Sequence, residues 1–206
     1  MLSVTEYLMG EPVPLVRVHD AVFDFCRGRE DVVVFGAQAV NFHVREQRMT
    51  QDVDLFSTQP RATAEALAAA LRKSLHIAAR VREVREGQGY RIYQARKQGK
   101  RHLADVRLLD FPLDDAVAAN GLRFTPPALT IAMKVFALSR RRLTPKGATD
   151  LADLRRLLLA FPKLRRKNGP VAEAIARVGG GAEARAAWAA LVREPIVSDE
   201  EADEGY

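Results

Sequence analysis

The stretch DVVVFG, residues 31–36, sets the first limit on the fold. Three valines and a phenylalanine in a row favour an extended chain, because β-branched and aromatic side chains pack well on a pleated surface. An unbroken apolar run of this length points to a buried strand. Gly36 ends it, and AQAVNFHVREQ (37–47) continues at helical spacing. A second extended run, DVDLF, follows at 52–56. Strand, glycine turn, helix and strand in this order exclude a pure helix bundle and require a sheet with helices laid against it.

The rest of the chain extends this pattern. LVRVHDAVFDFCRGRE (15–30) has apolar residues at helical intervals, and RATAEALAAALRKSL (61–75) is alanine-rich and helical. RVREV (80–84) and YRIYQA (90–95) alternate polar with apolar around EGQG, which predicts a hairpin, and RHLADVRLL (101–109) reads as another strand. PPALTIAMKVFALSRRR (126–142) predicts a helix with prolines at its start, where proline is tolerated. Helices are expected again at 148–161, 170–178 and 182–193, the last two parted by Gly179-Gly180-Gly181. The expected class is α+β: a mixed sheet with flanking helices over residues 1–120, an all-helical region over 121–195, and an acidic disordered tail over 196–206.

Composition narrows the function classes. Hydrophobic residues make up 48% of the 206, which is the composition of a globular protein with a core. No run approaches the roughly 18 apolar residues of a membrane span, and MLSVTEYLMGEPVP at the N-terminus lacks the basic and apolar regions of a secretory signal. The single cysteine, Cys26, excludes an intrachain disulfide and fits a reducing compartment. It falls on an apolar stripe with Val22 and Phe25, so it reads as a packed core thiol. A cytoplasmic location is expected. The net charge of +6 is uneven: without the acidic segment 198–206, 32 bases face 21 acids. A body that basic attracts polyanions, although a well-solvated surface remains an alternative. The basic turn at 163–167 is a linker, a nucleic-acid contact or a solvated turn.

The chemistry concentrates in Asp52-Val53-Asp54. Alternate residues of a strand share a face, so the two carboxylates point the same way and repel. Burying either needs a counter-charge. Mg²⁺ supplies one: it prefers oxygen ligands and commonly takes one or two carboxylates together with substrate phosphates. Just upstream, Gly36 permits close approach, and the helix N-terminus after it offers backbone N–H groups to a phosphate. Asp105 lies in a later strand with Arg107 on one face and Ala104, Val106 and Leu108 on the other. It reads as a third acid, completing a metal ligand set or activating an attacking hydroxyl. The four histidines, His19, His43, His76 and His102, share no ligand spacing, so no zinc site is expected. His43 either packs or faces the nucleotide.

GAQAV…RMTQDVDLF resembles the minimal nucleotidyltransferases of the polymerase-β superfamily. The branch it looks like is the AbiEii-like one, which holds the toxin subunits of AbiE-type abortive-infection systems and the MenT-type toxins. That branch shows GG-x-A, then R-x-T-x-D-h-D with h apolar, a later strand Asp, a helix bearing Lys, and K-D-x-x-D-L. Here Gly36 and Ala37 take the first place, and Arg48, Thr50, Asp52 and Asp54 match directly. Asp105 takes the strand Asp, Lys134 the helix Lys, and Asp150 and Asp153 the last two acids. The likeness covers about residues 31–160. It departs at Ala37, where the second glycine stands, and at Thr149, where a lysine stands; Lys146, Arg141 and Arg142 lie nearby.

The resemblance implies Asp52, Asp54 and Asp105 as catalytic and metal residues for Mg²⁺, with Mn²⁺ as a substitute. It implies Gly36, Ala37, Arg48, Thr50, Lys134 and Asp150 at the nucleotide, with Lys134 neutralising the triphosphate as pyrophosphate leaves. Lys134 shares a helical face with Thr130 and Arg141, opposite a Leu129–Met133–Phe136 stripe; the other reading is a solvated charge. Arg48 and Thr50 contact phosphate or hold the Asp-bearing strand. Asp150 and Asp153 orient Lys134, or cap and pair with Lys146, Arg155 and Arg156. The expected partners are an NTP, an RNA acceptor such as a tRNA 3′ end, and a cognate antitoxin, with no membrane. A protein or small-molecule hydroxyl is an alternative acceptor. A non-catalytic nucleic-acid- or partner-binding protein of the same fold is the rival from another class.

Overall fold

In this computed structural model, residues 13–84, 86–96, 99–109 and 115–198 are described. The expected acidic tail falls almost wholly on 199–206, and most of the N-terminal stretch read for a signal falls on 1–12; both lie outside the described residues. The chain divides into two compact units, residues 1–38 with 49–125, and residues 39–48 with 126–206.

The first unit is built on a seven-stranded mixed sheet of order β3-β4-β5-β2-β1-β7-β6. Its strands are β1 (Val32–Phe35), β2 (Val53–Ser57), β3 (Ala79–Glu83), β4 (Gly89–Ala95), β5 (Lys100–Leu108), β6 (Val117–Ala119) and β7 (Leu122–Phe124). The valine run of β1 is buried throughout, as a central strand requires. β1 pairs antiparallel with β2 and parallel with β7, and β2 pairs parallel with β5. The 80–95 hairpin forms as expected, with Glu83 opposite Tyr90.

Two helices support the sheet. In α1 (Leu15–Cys26), Val18, Val22 and Cys26 recur every four residues and are buried; burial pushes the Cys26 thiol up to about 12, so it is an inert core group. In α3 (Pro60–Leu75), Ala64, Leu67, Ala68, Leu71 and Leu75 form the buried stripe. This helix packs on β2, β3, β4 and β5 and against α1. It covers the apolar row Val53–Ala104–Ile92–Val81, whose members lie side by side across four strands.

The second unit is helical. α4 (Pro127–Arg141) packs against α5 (Pro145–Ala160), α6 (Pro170–Arg177) and α7 (Ala182–Leu191). It is enclosed on several sides, with Leu129, Ile131, Ala132, Val135 and Leu138 buried. Met133 and Phe136 are only half-buried, so the buried surface is not the Leu129–Met133–Phe136 stripe expected from spacing. The basic turn at 163–167 is a tie: Arg165 donates to the carbonyls of Val192 and Glu194, and Trp188 Nε1 donates to Arg166 O at 3.2 Å.

Four boundaries differ from expectation, each for a local reason. α1 stops at Cys26, not residue 30, because Gly28 adopts φ +75° and its N–H bonds Gly121 O at 2.8 Å. α2 (Gly36–His43) ends short of residue 47 because the Asn41 amide brackets the Arg48 main chain, at 2.9 and 3.1 Å. β6 and β7 form a hairpin around Asn120-Gly121, both at positive φ, the dipeptide that favours such turns. The region beyond residue 120 is therefore not all-helical. α5 begins at Pro145, three residues early, because Thr144 caps it by accepting from Gly147 N at 3.1 Å. No described helix is long and apolar enough to cross a membrane.

Leu67 is fully buried under the sheet. Leu67→Ala should cost about 2–5 kcal/mol, read as a lower urea midpoint with an unchanged slope.

Candidate active site

The sheet's hydrogen-bond ladder places the acids. β2 and β5 run parallel with Asp54 opposite Asp105, so the two carboxylates leave the same face one strand apart. Phe35 on β1 is opposite Asp54 on the other side. Asp52 stands one residue before β2, and Thr50 Oγ1 donates to its carbonyl at 3.2 Å. Gly36, at φ +69°, opens α2 directly against this row: a Cβ there would lie 2.2 Å from Asp54 Oδ2. The group seated in the space left by Gly36 is thus the Asp54 carboxylate, where the sequence suggested a phosphate. Ala37 follows in the same helix turn.

Three cations gather on these acids. Arg91, opposite Asp105 on β4, grips it with Nε at 2.9 Å and Nη2 at 3.0 Å. His102 bridges two acids, Nδ1 to Asp52 Oδ2 at 2.7 Å and Nε2 to Asp105 Oδ1 at 3.0 Å. Arg107 Nη2 approaches Asp54 Oδ1 at 3.9 Å. His102 and Asp105 are three residues apart and would face opposite ways in a regular strand. The β4–β5 register shifts between Ile92 and Tyr93, with Ala104 opposite Ile92 but His102 opposite Tyr93. The extra residue, Leu103, returns His102 to the acidic face.

Burial alone would lower the His102 pKa, but its hydrogen bonds to Asp105 and Asp52, and their charges, raise it to about 9. Burial alone would raise Asp105, yet the hydrogen bonds from His102 and Arg91 hold its carboxyl well below the usual range. Asp105 is therefore an ionised oxygen donor. Among the described residues, no three His, Cys, Asp or Glu side chains converge closely enough to hold a metal ion. The donor set still fits a hard cation in chemistry: carboxylate oxygens from Asp52, Asp54 and Asp105 on one sheet face, two of them at paired positions.

The remaining predicted residues meet in the second unit. Lys134 is buried in α4, with Nζ 3.1 Å from Asp150 Oδ1 and 2.7 Å from Asp153 Oδ2. The two acids stand one turn apart on α5 and are almost fully buried. Arg48 makes a paired contact to Asp153, Nε–Oδ1 and Nη2–Oδ2 both at 2.7 Å. Arg141 Nε donates to Asp150 Oδ2 at 2.7 Å. Lys134 is thus no solvated charge. The acids thus hold Lys134, one of the two arrangements expected for them. Of the alternative partners Lys146, Arg155 and Arg156, only Arg156 approaches among the described residues, at 3.9 Å from Asp153; Arg155 pairs with Glu194. His43 packs edge-on against Phe42 and Phe161.

The predicted residues therefore form two groups, Gly36, Ala37, Thr50, Asp52, Asp54 and Asp105 in the first unit, and Arg48, Lys134 and Asp150 in the second. Sequence reasoning missed Arg91, His102 and Arg107, and the role of Arg48 as the clamp on Asp153. Arg91 was within reach of cross-strand counting; His102 was hidden by the shift in register.

The chain matches the family described as "Nucleotidyl transferase AbiEii toxin, Type IV TA system" over residues 21–203. No curated protein matches it. Among solved structures, it is similar to the polyadenylate synthase of Megavirus, at 14% identity and a TM-score of 0.58. The alignment covers 72% of this chain and 32% of that one, so the chain spans about a third of the viral protein. It is also similar to the antibiotic-resistance factor ANT(2″)-Ia, at 15% identity and a TM-score of 0.52, covering 93% of this chain and 96% of that one.

Gly36→Ala should cost about 1–3 kcal/mol by driving a methyl into the Asp54 carboxylate; urea unfolding checks this. Asp153 gives a pH prediction. Burial would raise its carboxyl, but Arg48 and Lys134 hold it below its ordinary 3.8. A depressed carboxyl contributes in full above its unfolded value and loses that contribution as pH falls through its folded value. Thermal melts should show stability falling below about pH 4. Asp153→Asn should be about 3–5 kcal/mol less stable at pH 7, because Arg48 and Lys134 lose their counter-charge, and should show a weaker acid dependence.

Proposed function

We propose that this chain, which belongs to the AbiEii nucleotidyltransferase family, moves the nucleoside monophosphate of an NTP onto the 3′ hydroxyl of an RNA, with tRNA as the leading acceptor. The observation that carries the reading is the pairing of Asp54 with Asp105 on one sheet face, with Asp52 alongside. Three acids in that arrangement serve a reaction that handles a polyphosphate and an attacking hydroxyl.

Asp52, Asp54 and Asp105 would hold Mg²⁺, or Mn²⁺ in its place. When bound, the metal supplies positive charge to the phosphates and lowers the cost of the developing negative charge. Asp105 would help activate the attacking hydroxyl. Arg91 and His102 hold its carboxyl ionised and well below the usual range, which suits it to orienting the hydroxyl by accepting its hydrogen bond rather than to taking its proton. Arg91 and His102 keep its carboxylate oriented, and Gly36 leaves the space that Asp54 occupies. Lys134 carries the cationic role toward the triphosphate, with its ammonium held by Asp150 and Asp153. Arg48 sets that arrangement from behind by fixing Asp153. Where Thr149 replaces the usual lysine, Arg141 supplies a charge partner to Asp150.

The fold does not choose the acceptor: it occurs both in a polyadenylate synthase and in an antibiotic-resistance factor. The basic composition favours a polyanion. A cytoplasmic location and a cognate antitoxin, as in type IV systems, belong to the same reading.

The test is incubation with each α-labelled NTP, Mg²⁺ and total tRNA, beside Asp52→Ala/Asp54→Ala. Label in RNA with the wild type, reduced at least 10³-fold in the variant, is the expected result. Label in protein would move the acceptor to a polypeptide hydroxyl. Absence of label in both fractions, with NTP binding intact, would turn the search to small hydroxyl compounds and sink the RNA assignment.

A further inference from the structure

The acid row does not stop at Arg91. Strand pairing carries it on to β3, where Arg82 lies opposite Arg91. One sheet face therefore presents Asp54, Asp105, Arg91 and Arg82 in register across β2, β5, β4 and β3. A second row runs beside it, His102, Tyr93 and Arg80. The opposite face at these strands is the apolar row under α3, so the charged rows lie on the face that α3 leaves uncovered.

Arg80 and Arg82 are exposed, and among the described residues neither has an acid, a carbonyl or a ring as a partner. Lys100, also exposed, holds its ammonium 4.9 Å from the centre of the Tyr93 ring. The arginines have no evident benefit for the sheet. Arg82 opposite Arg91 sets like charges directly across a strand pair, which is unfavourable by itself. Guanidinium groups unpaired on an open face are suited to phosphates, which they bind through two parallel N–H donors.

The spacing selects the kind of polyanion. Neighbouring strands lie about 4.8 Å apart, so Arg82 stands roughly 10 Å from Asp105. Residues two apart along a strand are about 7 Å apart, which makes the two-row strip the width of a single phosphodiester backbone. A duplex would present two backbones to a strip built for one.

We propose that the open face of β3 and β4 is the track for the RNA acceptor strand. Its 3′ hydroxyl lies at Asp105, and the phosphates of its last nucleotides rest on Arg82 and Arg80, with Lys100 at the outer end. This inference rests on the transferase reading above but names residues that the reaction does not need. A competing role for basic residues on β3 is protection of an edge strand from pairing with other chains. That role predicts no change in RNA binding when they are replaced.

The experiment compares wild type with Arg80→Ala/Arg82→Ala; both positions are exposed, and a thermal melt verifies folding. The probe is a fluorescein-labelled, unstructured RNA oligonucleotide with a free 3′ hydroxyl, titrated by anisotropy at several salt concentrations. The same oligonucleotide annealed to its complement is the control. Wild type should bind the single strand more tightly than the duplex. The variant should lose on the order of tenfold or more in affinity, and its log–log salt slope should fall by about 1.4, the release expected for two single-strand phosphates. KM for RNA should rise correspondingly while kcat at saturating RNA and NTP binding stay unchanged. Wild-type binding that is absent, equal for duplex, or unchanged in the variant would overturn the inference. The two proposals fail separately. Transfer onto RNA that is equal in variant and wild type removes the track and keeps the reaction. Arginine-dependent binding without any transfer keeps the track and removes the reaction.

Discussion

The repulsion between neighbouring carboxylates is the constraint around which the first unit is arranged. β2 and β5 are central strands, and their parallel register forces Asp54 beside Asp105. Left alone, that pair would weaken the sheet at its middle. The surrounding residues answer with charge: Arg91 from the adjoining strand, His102 from one residue out of regular alternation, and Arg107 from further along the strand. The pairing of Arg91 with Asp105 is a cross-strand contact, so the same ladder that creates the repulsion also delivers its remedy. The apolar rows beneath, gripped by α3, keep that ladder rigid.

The second unit meets a similar demand in a helical setting. Asp150 and Asp153 are more deeply buried than the sheet acids and are held by Lys134, Arg48 and Arg141. A buried network of this kind is costly if one member is lost and orders its members when complete. Lys134 is thereby fixed on a helix whose apolar residues are enclosed by three others. A lysine tethered by two carboxylates carries less conformational freedom than one on a surface, and so loses less on binding an anion.

Much of this was legible in the sequence. The valine run, the glycine stop and the D-x-D pair gave the central strands, and alanine and leucine spacing gave the helices. The acids and Lys134 were singled out by motif. What escaped detection was set by contacts distant in sequence or by small departures from regularity. Arg48 and Asp153 are 105 residues apart, and no periodicity links them. The α1 ending depended on Gly28 bonding Gly121, the far side of a hairpin that was itself overlooked. That hairpin carried a readable Asn-Gly turn, but its strands are three residues each, too short for alternation to register. Thr144-Pro145 was likewise a readable helix start, outweighed by the apolar pattern that begins later. The Leu129–Met133–Phe136 stripe failed for another reason: a helix surrounded by neighbours buries more than one face, so spacing alone cannot choose among them.

The displaced register at Leu103 divides β5 into two halves of opposite parity. Inward of it, odd-numbered residues face the acids; outward of it, even-numbered ones do. Arg101 consequently turns away and ties to the Val13 carbonyl, while Lys100 and His102 join the charged face. The strand thus behaves as a mechanical phase shifter between its two ends. Length changes in the connection between β4 and β5 leave the phase intact, whereas gain or loss of one residue at 103 would exchange the whole outer half of the face. Asp105 therefore keeps its place opposite Asp54 and Arg91, while the set of side chains that the outer half of β5 presents on this face hangs on the single residue inserted at 103.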